Sequence, residues 1–506
     1  MDFEGFKIRA SYWLEHRIKY VGTFMSGTFT ILVGFLLLFA DYIVDLSPYV
    51  QEQSIFDRLA NVTVILISVI SGISLTTFSV IFVVMQLASS QFSPRILRHF
   101  LANDVRIQQF IGLYIGTLSL CILPQAASAI TGGKPYLITL AVGLFLALRC
   151  LVWSYPRMIT YLSVNMNVAA IVDKIKVEVV NEINTLYREE WKPGQKMLYV
   201  SRKPNPDHYS VAIQSPFKTG YLESVDYIEL ERLVAKFIGN NPWAQGLMVF
   251  QRPVVGEFVM NKASVLLSIE LELEPPAQRI ANILDSFTQI AQNVFTVHTF
   301  RSYTQDINFG VRKLVDIAIK AISPAVNDPT TCLNCIDHLG DIARQLELKQ
   351  YPSTQACKMQ ANNIIVNEFN FDHLVDFCFD QIFQWGKEDP TVVRRLLQTL
   401  SLLTANSENP FTLMVLIKQV EDMELQTIYN TSNVAERGIR ISAEKLEGVL
   451  NEIKDFNAIA RKRISFLKAN GLIDPKTADD LDPIQLREKY AVEYLQKFGG
   501  SLNVKI

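Results

Sequence analysis

The sequence predicts an α-helical membrane protein: four transmembrane helices, then a cytosolic α+β region made of a small β-rich module and a mainly helical domain. Three observations predict it. No charge occurs between Arg58 and Arg95, and a helix over 59–91 would be roughly 50 Å long, against roughly 30 Å for a bilayer's hydrocarbon core. The long uncharged runs fall almost entirely in the first third of the 506 residues. Beyond residue 196 the pattern turns to short β-type runs, and beyond Pro276 to helical periodicity.

Residues 1–20 form an amphipathic leader in which Phe3, Phe6, Tyr12 and Trp13 mix with Lys7, Arg9, Arg17 and Lys19. Such a leader suits a membrane surface, or equally a helix packed on its own protein. It does not read as a cleavable signal, because Asp41 follows the apolar run with no small-x-small site. The transmembrane domain covers 21–154, with spans at 21–40, 59–91, 107–130 (bent at Pro124) and 136–153. The first loop carries Asp41, Asp45, Glu52 and Asp57 without Lys or Arg. Arg95, Arg98 and Arg106 fill the second connector, and Arg157 follows the fourth span. The positive-inside rule then puts both termini in the cytoplasm.

A connecting segment, 155–196, reads as a helix with the apolar stripe Ile171, Ile175, Val179, Ile183 and Leu186, stopped by WKPGQ. In 197–275, strand-like runs occur at LYVS, YSVAIQS, GYLESV, 246–250, 256–259 and 265–273. Their order resembles barrel-sandwich modules of the biotinyl or lipoyl type. Lys262 is the nearest residue for a covalent cofactor, but it does not mark a convincing hairpin tip, and a structural module is the better reading. The domain at 276–469 holds helices at 277–296, 308–322, 330–347, 372–386, 391–405, 410–427 and 437–469, and 470–506 is a polar tail.

The net charge of −2 gives no basic field for nucleic acid. The six cysteines are scattered and form no disulfide framework. Cys332 and Cys335, with His338 nearby, lack the second ligand pair that zinc requires and read as small side chains on a packed helix. No P-loop, nucleophile elbow, metalloprotease or dinucleotide motif occurs, so no catalytic residue, metal or cofactor is expected and an enzyme is the least supported class.

Two groups of residues are functional candidates. Ser68, Gly72, Thr76, Ser79 and Gln86 recur on one face of the second span. The face is either a close-packing helix seam or the wall of a pore, and Gln86 is large for a seam. Arg149, inside the fourth span, either snorkels to the interface or faces the protein interior beside a pathway. In the later domain, Arg301, Asp306, Arg312, Asp316, Asn327 and Asp328 are candidates for ligand or subunit contact. There the plain alternative is local structure: Arg312 and Asp316 pair at i,i+4, Asp328 caps a helix and Pro329 opens it.

MQLASSQFSPRILRHF (85–100), GYLESVDYIEL (220–230) and DINFGVRKLVDIAIKAISPAVNDPTTCLNCIDHL (306–339) resemble the bacterial predicted membrane proteins of the domain of unknown function 2254 family. The resemblance implies a four-span bacterial inner-membrane protein with a cytosolic C-terminal region, and it brings no catalytic residue. The function expected is an oligomeric channel-like or transport protein with a cytosolic regulatory domain. The alternative is a membrane-anchored sensor or scaffold. Expected partners are the lipid bilayer, further copies of the chain in a homo-oligomer, and an ion or small cytosolic ligand, with no nucleic acid.

Overall fold

The structure is a computed structural model and describes residues 28–44, 53–91, 105–131, 136–165, 167–192, 205, 207–301, 305–350, 356, 359–360, 362–437, 443–483 and 485–486. The leader, most of the second connector and the last residues of the tail lie outside these. The chain forms two compact units, Met1–Ile171 and Val172–Ile506.

The first unit is helical. Three of its helices contain stretches long and apolar enough to cross a membrane: Asp57–Val80, Arg106–Ile130 and Leu137–Val164. The expected first span appears as a shorter apolar helix, α1 (Thr28–Val44), since 21–27 lie outside the described residues. The others are α2 (Gln53–Gln91), α3 (Val105–Ile130), α4 (Leu137–Arg149) and α5 (Tyr155–Asn165). The helix α3 runs through Pro124, and the backbone departs from α-geometry elsewhere, in a π turn at Cys150–Ser154 that joins α4 to α5.

Small residues bring α1, α3 and α4 together. A Cβ on Gly143 would stand 3.2 Å from the Leu120 carbonyl oxygen and 3.5 Å from Cys121 Cα, so the α3 and α4 backbones are nearly in contact. In lipid, where apolar side chains gain nothing by leaving the solvent, such close approach drives helix association. A polar strap reinforces it. The Asp41 carboxylate, near the end of α1, accepts from the backbone N–H groups of Ile138 (2.9 Å) and Thr139 (2.8 Å) and from the Thr139 hydroxyl (2.6 Å). It thus caps the first turn of α4 from another helix, satisfying donors that have no intrahelical partner.

The second unit begins within α6 (Val168–Leu186), whose buried Ile171, Ile175, Val179 and Ile183 match the expected stripe. Its strands are β1 (Tyr209–Gln214), β2 (Gly220–Val225), β3 (Met248–Gln251), β4 (Phe258–Val259), β5 (Val265–Leu271), β6 (Phe295–His298) and β7 (Ile364–Ile365). One sheet has the order β1-β5-β3-β7 and the other β4-β2-β6. The pairs are antiparallel except β3 with β7. The sheets therefore take β6 and β7 from beyond the 197–275 module, because a strand joins wherever its ladder is open, whatever its place in sequence. Helices α7 (Tyr227–Asn240) and α8 (Ala277–Val294) supply Phe237 and Phe287, which meet edge-on at 5.0 Å, to the core that holds Ile213, Leu222, Val249, Leu267 and Ile269. Lys262 is exposed at φ +53° in the turn between β4 and β5, which lie in different sheets, so it is not at a hairpin tip.

The remaining helices are α9 (Ile307–Ala321), α10 (Pro329–Glu347), α11 (Phe371–Val375), α12 (Gln381–Gly386), α13 (Pro390–Asn406), α14 (Pro410–Arg437), α15 (Ala443–Ala469) and α16 (Pro475–Asp480). A second π turn, Asp376–Asp380, joins α11 to α12. Cys332 and Cys335 are both fully buried, and burial pushes the Cys332 thiol up to about 12 and that of Cys335 well above its ordinary value. Thiols held neutral in this way are poor nucleophiles and poor metal ligands.

Candidate functional site

In the first unit, the predicted stripe is turned away from the rest of the unit. Ser68, Gly72, Thr76, Ser79 and Gln86 are all exposed, and a Cβ added at Gly72 would meet nothing within 4 Å. The helix packs instead through Thr63, Ile70, Ser74 and Thr77, the last donating to the Tyr155 hydroxyl at 3.2 Å. Among the described residues, the stripe is not the face through which α2 packs. Its hydroxyls are not left unsatisfied. Ser68, Thr76 and Ser79 donate to the carbonyls of Val64 (3.0 Å), Gly72 (2.9 Å) and Leu75 (2.9 Å), so the face tolerates an apolar neighbour while keeping acceptor lone pairs available to water or an ion. Arg149 is also exposed, its guanidinium 5.9 Å from the Trp153 ring centre.

In the second unit, the six candidates separate into three local pairs. Arg301 and Asp306 form a two-pronged ion pair, Nε to Oδ2 at 2.5 Å and Nη2 to Oδ1 at 2.9 Å. Asp306 is only 2% exposed and also accepts from the Phe309 N–H at 3.0 Å, which caps α9. Burial raises its carboxyl above the ordinary range, while the Arg301 bond and charge oppose that rise. Gly256, at φ +93°, lies so close that a Cβ there would overlap both the Asp306 carboxylate and the Arg301 guanidinium.

Arg312 pairs with Asp316 at 2.9 Å, donates to Gln381 Oε1 at 2.9 Å and lies 5.2 Å above the Phe377 ring. This is the expected i,i+4 pair, joined to a neighbouring helix. Asn327 sits exposed at φ +50° in the turn before α10. Asp328 caps α10, accepting from the Thr331 N–H (3.2 Å) and hydroxyl (2.6 Å), with Pro329 next. Asp328→Ala is expected to cost about 1 kcal/mol of stability through the lost cap. Thermal unfolding of the full chain measures this, and unchanged stability would reject the capping role.

Asp306 borders a concavity. A cleft of about 80 Å³ is lined by Tyr187, Tyr227, Gln305, Asp306, Asn308 and Glu368, with apolar walls from Val254, Val255 and Met359 among others. The stretches 220–230 and 306–339 meet beside it. The Gln305 side chain, from a residue at φ +53°, accepts from the Val225 N–H (3.0 Å) and donates to the Val225 carbonyl (3.3 Å), and its backbone N–H donates to Glu182 (2.8 Å). The Tyr187 hydroxyl donates to the Phe369 carbonyl at 2.7 Å. Burial, and secondarily the Glu368 charge, raises the Tyr227 phenol above its ordinary range. The Asn308 side-chain oxygen is buried with no hydrogen-bond partner, and an orphan acceptor of this kind is costly unless a ligand or water meets it.

The sequence pointed to Arg301 and Asp306 but missed Tyr187, Tyr227, Gln305, Asn308 and Glu368. Isolated polar residues from four separate stretches carry no periodicity or spacing that links them. Among the described residues there is no group of three His, Cys, Asp or Glu side chains arranged to hold a metal.

Comparison with known proteins places these features in a family. Uncharacterized proteins of Mycobacterium tuberculosis (strains CDC 1551 and H37Rv) and Mycobacterium bovis are 27% identical to this chain over 350 residues. The matched region is 68% of this chain and 64% of each relative, so the chain spans just under two-thirds of their length. No solved structure matches. The family described as "Predicted membrane protein (DUF2254)" matches residues 20–401, a stretch that includes the apolar helices, the α2 face and the Arg301–Asp306 cleft, and the chain belongs to that family.

Proposed function

We propose that the chain is a four-span protein of the bacterial inner membrane, with both termini cytoplasmic, that assembles into a channel-like or transport oligomer in which α2 lines a shared pathway. The outward exposure of Ser68, Gly72, Thr76, Ser79 and Gln86 carries this reading. The Gln86 amide is costly against lipid unless it is bonded or wet, and four short-looped spans are too few to enclose a pathway alone. Apposed copies of α2 would place the stripe on water and leave Val62 and Val80, which are also exposed, to lipid or to neighbouring subunits. The second unit is then a cytosolic regulatory domain.

Single cysteines at Ser68, Thr76, Ser79 and Gln86 are expected to react in membranes with a small water-soluble thiol reagent, while those at Val62 and Val80 stay protected. Liposomes holding the protein should pass ions, and the purified particle should be larger than one chain. Uniform protection along the stripe, or a monomeric particle, would reject the pathway.

One observation favours a second reading, a membrane-anchored sensor or scaffold. The cleft at Asp306 sets the orphan Asn308 oxygen beside apolar walls, which suits one donor group of a small ligand. Ion flux from the reconstituted protein separates the two readings.

A further inference from the structure

Arg149, Trp153 and Arg157 stand in a row along the Leu137–Val164 helix. The Arg157 guanidinium lies 3.9 Å from the Trp153 ring centre and that of Arg149 5.9 Å from it. A regular α-helix would not align them so well. Residues eight apart are set about 80° apart around its axis at about 100° per residue. The π turn at Cys150–Ser154, closed by the Tyr155 N–H on the Cys150 carbonyl, absorbs one extra residue and takes back roughly 100°. The two arginines return to nearly the same face, with the indole between them. Pro156 gives the turn a cause, since it has no N–H for the Val152 carbonyl and its ring would clash there in an α-helix.

The row is cationic without compensation. Neither guanidinium has an ion-pair partner among the described residues, and no Asp or Glu occurs between Asp104 and Asp173. Phe145, Leu148 and Val152 are exposed on the apolar side of the row, and Trp153 itself is 53% exposed. Exposed Trp settles at the headgroup level of a bilayer, with apolar neighbours in the hydrocarbon and basic groups at the phosphates.

We propose that Arg149, Trp153 and Arg157 form a headgroup site for an anionic glycerophospholipid, its phosphate held between the two guanidinium groups beside the indole. The guanidinium fork matches phosphate oxygens, and stacking on the ring orients the fork. Zwitterionic lipids carry the same phosphate, but their ammonium group is repelled by the paired arginines, so the site selects net negative charge. This inference rests on the membrane placement of Leu137–Val164 and is independent of any pathway along α2.

The test is native mass spectrometry of the full chain released from equimolar phosphatidylglycerol and phosphatidylcholine. Wild-type protein should retain phosphatidylglycerol preferentially. Arg157→Gln should weaken that preference about fivefold, and Arg149→Gln with Arg157→Gln about 25-fold, at about fivefold per basic residue near the headgroups. Trp153→Phe keeps a ring to stack on and should keep the preference. An unchanged phosphatidylcholine level shows that the variants still fold, and the wild-type comparison stands if they do not. Equal retention of the two lipids by wild type, or undiminished phosphatidylglycerol on the folded double variant, would overturn the site. Displacement of the lipid by millimolar inorganic phosphate would overturn the lipid assignment in favour of a soluble anion.

Discussion

Asp41→Ala is expected to destabilise the apolar helices by about 3 kcal/mol. The substitution removes three hydrogen bonds to one carboxylate and leaves the amides of Ile138 and Thr139 uncapped at the start of α4. Asp41 is only 7% exposed, so water does not readily replace it, and backbone donors left unpaired near hydrocarbon are costly. Asp41→Asn keeps an acceptor without the charge and should recover about half the loss. Thermal unfolding of the full chain in mild detergent measures both variants. If Asp41→Ala unfolds with wild type, the strap between α1 and α4 contributes nothing.

Arg301→Ala should cost a similar amount, about 3 kcal/mol at neutral pH, because it leaves the buried Asp306 carboxylate without its counter-charge. The loss should depend on pH in a defined direction. The Asp306 carboxyl is raised in the folded protein, so the native state holds that proton more tightly than the unfolded chain, whose carboxyl titrates near 3.8. Its contribution is most favourable below 3.8 and is lost as pH rises through the raised native value. Arg301 opposes the rise, so removing it deepens the loss. The stability gap between Arg301→Ala and wild type should be small at the acid end and open towards neutral pH. Adding Asp306→Asn, which keeps a capping acceptor for α9, should flatten the dependence. A gap that does not change with pH would show that Arg301 acts through packing alone.

Helix existence and many helix starts in the second unit were legible in the sequence, but α14 runs to Arg437, beyond the expected end at 427, and α8 ends at Val294, where β6 begins. Caps and breakers act within a few residues, so Asp328–Pro329 before α10 and Asp389–Pro390 before α13 mark their helices locally. The stripe of α6 was legible for the same reason, since its 3.6-residue period is a property of one segment. The strands β6 and β7 were not. They are short, and β7 is two residues whose extended form is fixed by the open edge of β3.

The cleft was legible only at the Arg301–Asp306 pair, five residues apart. Its other walls come from Tyr187, Tyr227 and Glu368, which meet only because β2, α6 and the turn before α9 pack together.

The sequence by itself determined that this is a helical chain with apolar spans, a stripe of small and polar residues along α2 and a cationic end to the last apolar helix, because each follows from local composition and period. Only the tertiary structure decided which way those features face. Burial is a property of neighbours: Thr63, Ile70, Ser74 and Thr77 took the packing face of α2 and left the stripe outside. A single π turn, whose one-residue slip shows in backbone hydrogen bonds and not in residue type, brought Arg149 and Arg157 to nearly the same face of the helix, with Trp153 between them.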